Sequence, residues 1–262
     1  MQVAVAQFAP GRDPEANAVA MRRLAAEARE SGAELVVLPE YSSYFEAPMG
    51  PGFREHAEDL EGPTTRAMTA AAGELGLTVV FGLVERAGDR FRNAAVAVDG
   101  GGVRAVYRKT HLYDAFGSKE SDWVEAGPLD DPAIVEVGGV RVGMQTCYDV
   151  RFPEVTRRIA DAGADLVAIP ADWVPGRRKV AQWRTLVTAR AVENTLYVAA
   201  AGQVPPGGVG TSLIVDPQGD VLAELGELPG VGTGAVDTEQ VAAVRRVNPS
   251  LALRRFAVVP RT

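Results

Sequence analysis

Gly143-Met144-Gln145-Thr146-Cys147-Tyr148-Asp149-Val150-Arg151-Phe152-Pro153-Glu154 holds the only cysteine in the 262-residue chain. An alternating apolar run, Val140 to Gln145, leads into it, and a run with helical character, Pro153 to Ala162, leads away. A nucleophile at a sharp strand-to-helix turn has its side chain pushed clear of the sheet, beside the unpaired N–H groups of the helix's first turn. That is the geometry of a nucleophile elbow, built here on sulfur. The plain alternative is a small buried hydrophobe, the usual fate of a lone cysteine. Position between strand and helix, and two residues elsewhere in the chain, favour the nucleophile.

Outward from this stretch, strands and helices alternate. Upstream, residues 2–8 read as a buried strand, Pro14 to Glu30 as a helix capped by Asp13, and Leu35 to Leu38 as a strand covered on both faces. Residues 41–61 are aromatic and rich in Gly and Pro, and read as a loop walling a pocket. Thr64 to Leu75 reads as a helix, and Thr78 to Val84, Phe91 to Val98 and Val103 to Tyr107 as strands, the last two joined by a turn at Asp99-Gly100-Gly101-Gly102. Ala133 to Val137 and Val140 to Gln145 form a second hairpin through Gly138-Gly139. Downstream come a strand at Asp165 to Ile169, a helix at Lys179 to Asn194, and a strand at Leu196 to Ala201. Short strands follow at Thr211 to Val215, Val221 to Glu224 and Gly234 to Val236, then a helix at Thr238 to Val247 and an irregular tail. The hairpins disfavour a barrel of eight repeated strand–helix units. Two mixed sheets with helices on the outer faces use every apolar strand, an α/β protein in one domain with no linker inside it.

Composition narrows the function. A net charge of −7 disfavours nucleic acid or an anionic membrane as partner. No apolar run approaches the length that spans a bilayer, and the N-terminus has no signal-peptide character. One cysteine excludes an intrachain disulfide framework and fits a reducing cytoplasm. The two histidines, His56 and His111, are far apart, so a histidine-rich metal site is not expected. The basic cluster Arg177-Arg178-Lys179 reads as a solvated helix start.

Glu40, Lys109 and Cys147 share one description: each directly follows a predicted strand. Where strand ends converge, a carboxylate, an ammonium and a thiol meet, and each has a task in acyl transfer. The thiolate is the nucleophile, and a neighbouring cation favours its ionised form. The carboxylate exchanges protons with the thiol, the leaving amine and water. The ammonium and the Tyr148 backbone N–H stabilise charge on the carbonyl oxygen. A Cys147–His111 dyad is the competing arrangement.

Leu-Pro-Glu-Tyr at 38–41, Tyr-Arg-Lys-Thr-His-Leu-Tyr-Asp at 107–114 and Cys-Tyr-Asp-Val-Arg-Phe-Pro-Glu at 147–154 resemble the nitrilase superfamily of carbon–nitrogen hydrolases, as does Ala189-Arg190-Ala191-Val192-Glu193-Asn194. The resemblance runs from Val3 to about Val236. It implies an α-β-β-α sandwich, a catalytic Glu40–Lys109–Cys147 triad, no metal or organic cofactor, and homodimers or larger homo-oligomers. Residues 238–262 then form a C-terminal extension at an oligomer interface. Glu120, in Ser118-Lys119-Glu120-Ser121, matches a second family glutamate that holds the lysine, although the spacer from Lys109 is short for the family. The local pattern is most similar to the branch of ω-amidases and deaminated-glutathione amidases, which cleave small amides bearing a carboxylate and a 2-oxo group. Nitrilase or N-carbamoyl amide hydrolase activity, or a catalytically silent scaffold, are the alternatives. Gly210-Thr211-Ser212 departs from the Gly-His-Ser usual among close relatives. Tyr44, Tyr113 and Trp173, on loops after strand ends, are expected with Tyr148 to line the substrate pocket. Asp149, Arg151 and Glu154 are expected to pin the elbow through ion pairs, with Arg190 and Glu193 in a similar role on the later helix.

Overall fold

The computed structural model describes residues 1–260. In chain order the elements are β1 (Gln2–Gln7), α1 (Pro14–Glu30), β2 (Leu35–Val37), α2 (Pro51–Glu55), α3 (Pro63–Leu75), β3 (Thr78–Ala87), β4 (Arg90–Asp99), β5 (Gly102–Arg108), β6 (Ile134–Val137), β7 (Val140–Met144), α4 (Pro153–Asp161), β8 (Leu166–Ala171), α5 (Lys179–Asn194), β9 (Tyr197–Gly202), β10 (Leu213–Val215), β11 (Val221–Glu224), β12 (Gly230–Ala235) and α6 (Thr238–Val247). Among the described residues no helix is long and apolar enough to cross a membrane.

The strands form two six-stranded mixed sheets, ordered β12-β1-β2-β3-β4-β5 and β11-β10-β9-β8-β7-β6. Each has a parallel centre, β1-β2-β3 in one and β7-β8-β9 in the other, flanked by antiparallel strands. Side-chain alternation assembles four layers from this. Val3, Val5, Leu35 and Val37 point between the sheets, where they meet Val142, Met144, Leu166 and Ala168. Ala4, Ala6 and Val36 point the other way, onto Met21 and Leu24 of α1 and Met68 of α3. Val167 and Ile169 likewise face Ile159 of α4 and Trp183 and Val187 of α5. Strands covered on both faces have to be apolar throughout, which is why their sequences lack a polar alternation. The result is an α-β-β-α sandwich.

Three local readings change. The 41–61 stretch contains a one-turn helix, α2, whose Phe53 packs against Tyr41, Tyr44 and Phe91. The last strand of the first sheet is longer than its apolar residues indicate, pairing with β1 from Gly230 to Ala235. Glycines give it poor strand propensity, but they let the second sheet approach: a Cβ on Gly234 would stand 3.2 Å from Leu222 Cβ and 3.3 Å from Ile214 Cγ2. At the elbow, a short 3-10 turn, Cys147–Arg151, separates the nucleophile candidate from α4, which starts only at Pro153.

Gly82 sets the position of the first functional strand end. Its N–H donates to Pro39 O, and its carbonyl accepts from Ser43 N–H, so the 39–43 turn lies directly on β3. A Cβ at this position would stand 2.3 Å from the Tyr41 backbone nitrogen and 2.7 Å from Glu40 Cα. Replacing Gly82 with Ala is expected to push this turn away and cost about 1–3 kcal/mol. The cost is read as a lowered Tm, accompanied by loss of whatever activity depends on Glu40; an unchanged Tm with full activity would show that the turn yields freely.

Candidate active site

Glu40, Lys109, Glu120 and Cys147 converge at the floor of a pocket of about 560 Å³. Glu40 and Lys109 are 1% and 2% exposed. Lys109 Nζ donates to Glu40 Oε1 at 2.9 Å and to Glu120 Oε1 and Oε2 at 3.0 and 2.9 Å. The short spacer before Glu120 closes because Glu120 reaches back to its own loop, Oε2 accepting the Tyr113 N–H at 2.5 Å, while Oε1 accepts the Tyr41 hydroxyl at 2.5 Å. Glu40 Oε1 also accepts from Asn93 Nδ2 at 2.6 Å, and Glu40 Oε2 from the Asp172 N–H at 2.6 Å. Asn93, on β4, reaches Glu120 Oε1 as well, at 3.3 Å. Gln203 Nε2 fixes the Glu40 backbone by donating to its carbonyl oxygen at 2.9 Å.

Cys147 sits at φ +45°, an uncommon left-handed conformation for a residue with a side chain and the strain expected of an elbow. Asp149 locks this conformation. Its carboxylate accepts from the Thr146 N–H, the His111 N–H and the Tyr107 hydroxyl at 3.1, 3.1 and 2.8 Å. Arg190 on α5 adds a bond from Nε to Val150 O at 2.8 Å, with Glu193 paired to its Nη1 at 2.5 Å. Asp149 therefore pins the elbow by hydrogen bonds, and Glu154 is exposed without an ion pair among the described residues. No acceptor among the described residues takes the Tyr148 N–H, which leaves it free beside the sulfur.

The electrostatics separate the groups. Burial works against the Lys109 charge, but the carboxylates of Glu120 and Glu40 outweigh it and hold its pKa well above the usual lysine value. Burial likewise tends to raise the Glu120 pKa, yet the Lys109 ammonium and the Tyr41 and Tyr113 donors bring it below the usual carboxylate value. Cys147 goes the other way. Burial, then the charge on Glu40, push its pKa well above that of a free thiol, and Lys109 offsets only part of this. The neighbouring cation thus does not produce a resting thiolate, contrary to the expectation from sequence. Cys147 rests as a thiol, its Sγ 3.4 Å from Asp172 O.

The other sequence candidates are distributed unevenly. Tyr113 lines the pocket with Tyr41, Phe45, Trp123, Val174 and Pro206. Tyr44 does not: it is 2% exposed and stacked on His56 with centroids 4.3 Å apart. Trp173 is buried, donating from Nε1 to Lys179 O at 2.9 Å, and the Tyr148 ring packs edge-on against Tyr113 and Phe152. His111 faces away from the sulfur. Its Nδ1 is 2.8 Å from Asp149 Oδ1, its ring stacks on Phe152, and it borders a separate cavity of about 250 Å³. Thr211 lies buried behind the site, its carbonyl accepting from Trp183 Nε1, so the 210–212 departure does not touch the pocket.

Sequence reasoning missed two features. Lys179 is not a solvated helix start but is buried, with Nζ 3.0 Å from the Tyr113 hydroxyl and 4.5 Å from the Phe116 ring centroid. Arg151 lies nearby, Cζ 4.8 Å over the Trp173 ring, and its buried Nε has no partner. Among the described residues neither cation pairs with a carboxylate, and burial followed by the Arg151 charge lowers the Lys179 pKa. Asn93 is the other omission: it sits mid-strand in β4 with no motif around it.

A single cysteine makes its titration directly visible as thiolate ultraviolet absorbance. The wild type is expected to show no thiolate at neutral pH. Glu40→Gln removes the negative charge beside the sulfur and is expected to move the thiolate transition to lower pH, with about tenfold more thiolate at a given pH for each unit moved. A transition that stays put or moves up would contradict this placement of Glu40.

Known proteins match the chain over nearly its whole length. A family model for carbon-nitrogen hydrolases matches residues 2–246. The hydrolase Rv0480c of Mycobacterium tuberculosis (strain ATCC 25618 / H37Rv) is 40% identical over 94% of this chain and 92% of its own. The deaminated glutathione amidase of Escherichia coli O157:H7 is 38% identical over 98% of both. Among solved structures, a variant of the amidase from Nesterenkonia sp. AN1, with acrylamide joined by Michael addition to its active-site cysteine, superposes with a TM-score of 0.80 at 29% identity, covering 97% of this chain and 100% of that one. With the sandwich fold in common and the family model matched from the first strand to the last helix, the chain belongs to the carbon-nitrogen hydrolases of the nitrilase superfamily.

Proposed function

We propose that the protein hydrolyses the amide bond of a small carboxylated substrate, an ω-amide or a 2-oxo amide, and releases ammonia through a thioester on Cys147. The observation that carries this reading is the meeting of the buried Cys147 with Glu40 and Lys109 at one pocket floor. Glu40 takes the thiol proton as Sγ bonds to the amide carbon, so charge separates only when substrate is present. The resulting oxyanion is held by Lys109 and by the free Tyr148 N–H. Lys109 can give up one of its two bonds to Glu120 for this purpose and keep the other. Glu40 then protonates the nitrogen, the C–N bond breaks and ammonia leaves. Water attacks the thioester, Glu40 takes its proton, and the C–S bond breaks as Glu40 passes that proton to sulfur, restoring the thiol and freeing the carboxylic acid. Glu120 positions Lys109 throughout.

Arg151 and Lys179 support the carboxylated substrate. Two partly buried cations without carboxylate partners raise each other's cost, and an anion between them relieves it. Tyr113, on the pocket wall, links Lys179 to the pocket through its hydroxyl. A second copy of the chain fits the C-terminal segment. Val247, Leu253, Phe256 and Val259 are all more than two-thirds exposed there, so residues 238–260 are read as an oligomer contact, and the extension's last residues, 261 and 262, lie outside the described ones.

The test is ammonia release from amides, nitriles and N-carbamoyl compounds, with 2-oxoglutaramate and 2-oxosuccinamate among the amides. Release from the oxo-amides is expected, absent in Cys147→Ala. Arg151→Gln is expected to raise KM for carboxylated amides by about tenfold or more while sparing neutral ones. Turnover of nitriles or N-carbamoyl compounds alone would move the activity elsewhere in the superfamily, and silence across the panel would favour a scaffold.

A further inference from the structure

Three carboxyl groups share the pocket with the Lys109 ammonium, and their hydrogen bonds divide them sharply. Glu40 accepts from Asn93, Lys109 and the Asp172 N–H. Glu120 accepts from Lys109 on both oxygens, from Tyr41 and from the Tyr113 N–H. Asp172 lines the same pocket, yet its Oδ1 is buried without any hydrogen-bond partner. Its backbone is tied to both reacting groups, the N–H to Glu40 Oε2 and the carbonyl oxygen to the Cys147 thiol. One ammonium cannot balance three buried negative charges, and the carboxyl without donors is the one that stays neutral.

We propose that Asp172 is a neutral carboxylic acid in the resting protein and that its unpartnered oxygen accepts an N–H of the substrate amide. The proposal rests on the amide-hydrolase reading and extends it to the leaving group. With the carbonyl carbon at Sγ and its oxygen toward Lys109 and the Tyr148 N–H, the amide nitrogen lies on the Glu40 and Asp172 side. A primary amide brings two N–H groups. Glu40 is the acceptor for one, since it later returns the proton, and Asp172 is the acceptor for the other. A nitrile brings none, and leaves the Asp172 oxygen without a hydrogen-bond donor.

Charge supports the neutral form. Burial, then the carboxylate of Glu40, raise the Asp172 pKa to about 8, with Lys109 opposing and Glu120 adding to the rise. Tyr41, Tyr113 and Cys147 face the same group. Below about 8 Asp172 is protonated. Above it, a further negative charge stands beside the sulfur and the developing oxyanion, and activity is expected to fall. The same shift has a substrate-free consequence. The folded pKa lies above the unfolded one, so the wild type loses stability as pH rises from the unfolded carboxylate range through about 8.

Wild type, Asp172→Ala and Asp172→Asn decide the matter. Asp172→Ala is expected to lower kcat/KM for a primary amide by about tenfold. Asp172→Asn, which keeps the acceptor and cannot ionise, is expected to recover part of that loss and to move the alkaline limb of the pH profile upward. Its Tm relative to wild type is expected to climb between about pH 5 and about pH 8. A flat Tm difference overturns the neutral carboxyl whatever the substrate proves to be. An alkaline limb unmoved in Asp172→Asn, or an Asn variant as impaired as Ala, overturns the role in amide recognition. If none of the three proteins turns over any amide, the proposed function fails together with the amide contact, while the Tm series still judges the protonation state.

Discussion

The Lys109 ammonium, held between Glu40 and Glu120, is the constraint around which the site is built. At 2.9 Å and an effective dielectric near 20, each contact is worth about 6 kcal/mol, against a desolvation cost of several kcal/mol for every ion taken from water. The attraction does not make the cluster a source of stability. It makes the cluster intolerant of loss, because removing one partner leaves a buried charge uncompensated, at about 3–5 kcal/mol. Three strand ends therefore have to arrive together: Glu40 just after β2, Lys109 just after β5, and Cys147 just after β7 in the other sheet. The packing of the two sheets face to face is what makes that arrival possible. The mutual fit of Val3, Val5, Val142 and Met144 in the central layer is thus a functional requirement as well as a structural one.

Much of this was legible in the chain. Both-face burial gives β2 a continuous apolar run that leads to Glu40, whereas Lys109 follows the edge strand β5 and Cys147 the alternating strand β7. A residue placed at the carboxyl end of such a strand has few places to go except a shared cleft. The helices carry their own boundaries, with Asp13 accepting from the N–H groups of Glu15 and Ala16, and Gly76 closing α3 in the left-handed conformation. Glycine-rich β12 was read short, because its register is set by pairing with β1 and by the closeness of the second sheet, neither of which is a local property.

Asn93 and Lys179, which escaped the sequence, share one trait: they act through distance in space, not through position at a strand end, whereas Asp172, also passed over, directly follows β8. Asn93 sits mid-strand and looks like any inward polar residue until β4 is laid beside β3 and β5. Lys179 looks solvated because Arg177 and Arg178 precede it, and only the path of the 113–117 loop carries Tyr113 and Phe116 over its ammonium. Tyr44 failed in the opposite sense. It follows a strand end and is aromatic, but the 41–45 turn on Gly82 carries it into the cluster around Phe53 instead of the pocket. Loop direction decides these cases, and a loop's direction is fixed by partners remote in sequence.

Burial explains why the nucleophile is paired with a carboxylate and not left as a thiolate. A permanently ionised sulfur here would add a negative charge to a pocket floor that already has more carboxyls than cations. In the proposed reaction the thiol stays neutral and the anion forms only when a carbonyl carbon is present to share its charge. The same logic extends to Asp172, a third acid that stays neutral because the donors nearby are spent on Glu40 and Glu120. Glu40 is bound on both oxygens and cannot swing away, which suits the proton transfers proposed for it. The geometry thus fixes the surroundings of Glu40 more tightly than it fixes the identity of the substrate.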